Sequence, residues 1–89
     1  MATYALRRRF LDIGMEMDLL FVTSKNTDRV HVCQMVDGCN SSIQSMTIEL
    51  GAGRTFVVPL LKGSIHKAEA REVWHALVRS GFKRLPYNE

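Results

Sequence analysis

Apolar and polar residues follow two rhythms along this 89-residue chain. As far as Leu61 the pattern is that of strands. Met17 to Thr23 is a short apolar run without helical punctuation, and Ser24 to Asp28 is a polar turn. Arg29 to Val36 then sets β-branched Val30, Val32 and Val36 in alternation, so the two runs predict a hairpin. Asp37 to Ser42 has the composition of a loop. Ile43 to Leu50 alternates again, with Met46, Ile48 and Leu50 on one side and Ser45, Thr47 and Glu49 on the other. Gly51-Ala-Gly-Arg54 turns the chain into Thr55–Leu61, where Pro59 marks a strand end or an edge position. That makes a second hairpin. Residues 4–13 allow two readings. Leu6, Phe10, Ile13 and Met17 repeat at helical spacing, whereas Tyr4, Leu6, Arg8 and Phe10 would share one face of a strand.

The rhythm changes after Leu61. Ala70, Val73, Trp74, Leu77 and Val78 recur at spacings of three and four, which predicts a helix over 65–80. Ser64 stands where an N-cap belongs. Gly81 occupies the left-handed position beyond the helix, Phe82 can fold back on Leu77, and Pro86 stops any resumption. The expected fold is α+β: an antiparallel sheet of two hairpins, four to five strands, followed by one C-terminal helix packed on it. Residues 1–89 leave room for one domain. A helix of this length spans roughly 24 Å and covers only the middle of such a sheet. The first hairpin is apolar on both sides, with Leu20 and Val22 on one and Leu19 and Phe21 on the other. Two-sided burial with one helix to supply it predicts a homodimer, Trp74 being one interface candidate.

The composition, 46% hydrophobic and 24% charged, is that of a folded globular chain. No apolar run approaches the ~20 residues of a membrane span. The two cysteines, Cys33 and Cys39, come without the apolar core of a secretory signal, which points to free thiols in a reducing, cytoplasmic setting.

Candidate chemistry is sparse. His31, Cys33 and Cys39 offer soft metal ligands, but no Cys-x-x-Cys pair and no clear fourth ligand accompanies them. A Cys33–His31 nucleophile would lie along one strand with nothing to orient the imidazole. Gly51-Ala-Gly53 lacks the Lys-Ser/Thr of a phosphate loop and precedes a strand, so it reads as a hairpin turn. The expectation is a non-enzymatic protein without metal or cofactor.

Charge carries the main functional hint. Twelve Lys and Arg against nine Asp and Glu give +3. The excess is grouped: Arg7, Arg8 and Arg9 form one cluster, and Lys62, Lys67, Arg71, Arg79, Lys83 and Arg84 a second, opposed there only by Glu69 and Glu72. On a helical wheel Lys67, Arg71, His75 and Arg79 make a row along the border of the apolar side. A row of cations can neutralise successive phosphates and release their counterions. The same row also fits the solvated face of any amphipathic helix. Exposed aromatic rings for base stacking look few among Tyr4, Phe10, Phe21, Phe56 and Tyr87.

Lys62-Gly63 at the strand–helix junction and Trp74-His-Ala-Leu77 within the helix resemble the PC4-like and Whirly group of single-stranded nucleic-acid-binding dimers, over the last third of the chain. The junction-to-Trp spacing is longer here, and the strands lack that group's dense basic and aromatic alternation. The resemblance implies a dimeric module, possibly transcription-regulating in role, that binds single-stranded DNA or RNA, with Arg7, Arg8, Arg9, Lys67, Arg71 and Arg79 as the contacts that charge grouping nominates. The alternative is a protein-interaction module, such as a small phage-type regulator or inhibitor that binds a host protein.

Overall fold

A computed structural model describes residues 2–37, 44–61 and 63–86. The fold is α+β, with the helix packed on a multi-stranded antiparallel sheet. In chain order the elements are β1 (Ala2–Phe10), β2 (Met15–Thr23), β3 (Arg29–Asp37), β4 (Ser45–Gly51), β5 (Arg54–Pro59), β6 (Ser64–His66), α1 (Lys67–Ser80) and β7 (Lys83–Leu85). A five-stranded sheet runs β6-β3-β2-β1-β7, and β4-β5 is a separate two-stranded ribbon.

Residues 4–13 take the strand alternative. Tyr4, Leu6, Arg8 and Phe10 share a face of β1, which pairs with β2 from Ala2↔Thr23 to Phe10↔Met15. One 3-10 turn, Leu11–Ile13, and Gly14 at φ 61 reverse the chain between them. Cys39 and the expected loop about it, Ile43, Lys62 and Tyr87 lie outside the described residues.

The inner face of the sheet holds Leu6, Met17, Leu19, Phe21, Val30, Val32 and Ile65, all buried. Ala70, Val73 and Leu77 of α1, with Val58, Leu60 and Phe82, close the core over them. The ribbon lies in this layer and is separate from the main sheet, whose edge strands are β6 and β7. It turns the apolar side of β4 toward α1, and Met46, Ile48, Leu50 and Phe56 pack against the core. A lone two-stranded ribbon is marginal in water, so this burial sustains it.

The start of the helix differs from expectation. Residues 64–66 are a strand, pairing with Arg29–His31, so α1 starts at Lys67 and Ser64 is not its cap. His66 caps it instead: its Nδ1 accepts from the Ala68 amide at 3.2 Å, and its own amide donates to the Glu69 carboxylate at 3.3 Å. The Lys67 amide donates to the Asp28 carbonyl at 2.7 Å and ties the helix start to the β2–β3 turn. The C-terminal end follows the sequence. The Phe82 amide donates to the Leu77 carbonyl at 3.1 Å and the Gly81 amide to Val78 at 3.2 Å, with Gly81 at φ 121. This is the paired 6→1 and 5→2 pattern of a Schellman cap. No helix among the described residues is long and apolar enough to cross a membrane.

Two stability outcomes follow. Leu77 is fully buried, so Leu77→Ala costs about 2–5 kcal/mol in a urea titration; a loss near zero would mean the helix is not docked on this sheet. Ala52 in the β4–β5 turn has φ 52, a left-handed conformation costly for a residue with a Cβ. Ala52→Gly therefore stabilises by up to ~1 kcal/mol in the same assay, the relieved strain outweighing the added freedom of the unfolded chain.

Candidate nucleic-acid interface

Strand alternation divides the triple arginine between the two faces of the sheet. Arg7 and Arg9 point to the outer face. There Arg7 grips Asp18 through Nε and Nη2 at 2.7 and 2.9 Å, and Arg9 Nε donates to Glu16 at 2.6 Å. Asp18's hydrogen bonds and charge raise the Arg7 guanidinium above its already high pKa, so it stays protonated. Arg8 points the other way. Its Nη1 donates to the Ser80 carbonyl at the end of α1, 2.9 Å away, and its guanidinium lies 4.8 Å from the centre of the Phe10 ring. A cation here faces the negative end of the helix dipole.

The second basic group is drawn to the first by β7. Its three residues pair antiparallel with β1 in the register Ala5↔Leu85, Leu6↔Arg84 and Arg7↔Lys83. Arg7, Arg8, Arg9, Lys83 and Arg84 thus line one groove of about 650 Å³, floored by Gly81 and Leu85. Asp18 and Glu16 compensate Arg7 and Arg9. Lys83 and Arg84 have no ion-pair partner among the described residues.

Arg84 also belongs to a second hollow. On the inner face its guanidinium lies 6.0 Å from the centre of the Trp74 ring. Trp74 meets Phe21 edge-on at 5.2 Å and Tyr4 at 6.3 Å. Together they line a cleft of about 450 Å³ rimmed by Lys67, Arg71, His75 and Arg84, with no carboxylate among the described residues of its wall. Tyr4 is 53% exposed, so one ring is available to a ligand. The sequence predicts few exposed rings; Tyr4 is one, on the inner face of β1 beside Trp74 of α1.

The row on α1 does not act as a unit. Lys67 Nζ donates to the Ser24 carbonyl at 3.0 Å, and Arg71 and His75 line the aromatic cleft. Arg79 turns toward the ribbon, 3.5 Å from the Leu50 carbonyl, in a hollow it shares with Arg8 and Glu49. The six nominated residues thus occupy three adjoining hollows, which Arg8 and Arg84 connect. Lys83 and Arg84 were grouped with the second cluster but not nominated; their place depends on a three-residue strand with no periodicity of its own. Trp74 packs on Phe21 and Tyr4 within the chain rather than on the outer face.

Among the described residues no three His, Cys, Asp or Glu side chains stand together as a metal-holding group. His31 and Cys33 lie on the outer face of β3. No family model, curated protein or solved structure matches this chain.

The contact between Arg8 and Ser80 has a measurable consequence. Arg8→Met keeps the aliphatic stem and loses the charge at the helix end, and the domain loses about 1 kcal/mol of stability in a urea titration. An unchanged midpoint would show that the Schellman bonds alone hold this junction.

Proposed function

We propose that this domain is a small, non-enzymatic binding module for single-stranded DNA or RNA, acting in the cytoplasm. The observation that carries the reading is the continuity supplied by Arg84. It joins a groove lined by Arg7, Arg8, Arg9 and Lys83 to a cleft walled by Trp74 and Tyr4. A phosphate backbone needs a line of cations, and an unpaired base needs an aromatic surface beside that line. Double-stranded DNA stacks its bases away from such a cleft, so single strands are favoured. Stacking and phosphate attraction discriminate little among bases, which suits sequence-tolerant binding. A second reading, a protein-interaction module, is favoured by a different observation: the outer face of the sheet carries Leu20, Val22, Cys33 and Met35, and none of them joins the core.

Fluorescence anisotropy of labelled oligonucleotides tests the nucleic-acid reading. Affinity falls log-linearly with salt, and each lost phosphate contact flattens the slope by ~0.7. Arg71→Glu combined with Arg84→Glu weakens binding on every sequence alike, by about tenfold or more, from lost phosphate attraction. Both side chains are exposed, so the fold is retained. Wild-type protein that leaves anisotropy unchanged at low salt overturns the proposal.

A further inference from the structure

The outer face of the five-stranded sheet is built from β3, β2, β1 and β7 in four rows. Val22 lies beside Thr3, and His31 flanks Val22. Next come Cys33, Leu20, Ala5 and Leu85, then Met35, Asp18, Arg7 and Lys83. Last is Glu16 beside Arg9. Two properties of this face belong to its central columns. In size, β2 presents the larger Leu20 and Val22, while β1 presents Ala5 and Thr3, which lie low between their neighbours and are buried without any described element over them. In charge, β2 presents Asp18 and Glu16, and β1 presents Arg7 and Arg9.

Both properties are self-complementary under one operation. A two-fold axis parallel to the strands and midway between β1 and β2 lays the β1 column of one copy over the β2 column of the other, row on row. Leu20 then meets Ala5 and Val22 meets Thr3, large on small. Arg7 meets Asp18 and Arg9 meets Glu16, each carboxylate keeping its bond within its own chain and offering its remaining lone pairs across. At the flanks Cys33 meets Leu85, and the stem of Lys83 meets Met35. An axis parallel to the strands that set β1 on β1 would oppose arginine to arginine. Three nine-residue strands and two of three residues, near 4.8 Å apart with ~3.3 Å per residue, make a face of roughly 500 Å², close to the ~600 Å² per partner at the low end of specific complexes.

We propose that the outer face binds a second copy of this chain, forming a two-fold dimer in which β2 of each copy packs on β1 of the other. The sheets lie about 10 Å apart, in the aligned manner of sandwiches. Both helices and both aromatic clefts face outward, whereas Arg7, Arg9 and Lys83 of the basic groove enter the interface, so in the dimer the nucleic-acid reading rests on Arg8, Arg84 and the cleft.

The test combines mass with register. Sedimentation velocity of the wild-type protein at micromolar concentration gives twice the 10.1 kDa chain mass, and Leu20→Lys returns it to the chain mass. For register, Leu85→Cys is made in a Cys39→Ser background and treated with a short bis-maleimide. Cys33 and position 85 of one chain are separated by three strand spacings, ~14 Å, but face each other across the dimer. A covalent dimer forms with Leu85→Cys and not in the Cys39→Ser parent. A particle of one chain mass throughout overturns the proposal and leaves the face to a different protein. A dimer that fails to cross-link, or that cross-links equally in the parent, overturns it by placing the interface elsewhere.

Discussion

At the end of α1 the chain has to reverse within two residues, and the manner of that reversal decides where the charges of this domain meet. Gly81 at φ 121 lets the Phe82 amide return to the Leu77 carbonyl, and Phe82 enters the core beside it. The next three residues then fall into register with β1, Arg7 against Lys83 and Leu6 against Arg84. Arg8 closes the junction from the sheet side by donating to Ser80. A β-branched residue at position 81 would resist the positive φ. The cost would extend past the helix cap, because losing the register of β7 separates Lys83 and Arg84 from the arginines of β1.

The rest of the architecture serves that arrangement. α1 and the β4-β5 ribbon seal the inner face over Leu19, Val32 and Val58. Tyr4 stays half exposed beside Trp74, so the two rings line a cleft rather than being covered. The two faces of the sheet are chemically distinct as a result. The inner one ends in aromatic rings and cations. The outer one is apolar toward one end and ion-paired toward the other, where Asp18 and Glu16 neutralise Arg7 and Arg9.

Much of this was legible in the sequence where the signal was long. Val30, Val32 and Val36, and later Met46, Ile48 and Leu50, alternate over enough residues to fix strands, and Ala70 to Leu77 fixes the helix. Leu20 and Val22 opposite Leu19 and Phe21 gave notice of a second apolar face. What could not be read were β6 and β7, at three residues each too short for any period, and with them the strand order of the main sheet. The basic row on α1 misled for a geometric reason. Residues four apart precess by about 40° per step on a helix of 3.6 residues per turn. By Arg79 the row has moved some 120° from Lys67, from the aromatic cleft to the side of the ribbon. His66 escaped notice as a cap because the preference for Ser at that position drew attention to Ser64.

The central claim is that cations and rings act together at one site, and Trp74, the one tryptophan of the chain, reports on it directly. Its emission is followed while a single-stranded oligonucleotide and an abasic strand of equal length and charge are titrated in turn, with binding monitored independently by anisotropy. The account predicts that both strands bind through the basic groove and that only the strand carrying bases quenches Trp74, with the quenching reduced in Tyr4→Ala. Binding of the base-carrying strand with Trp74 emission unchanged would contradict it.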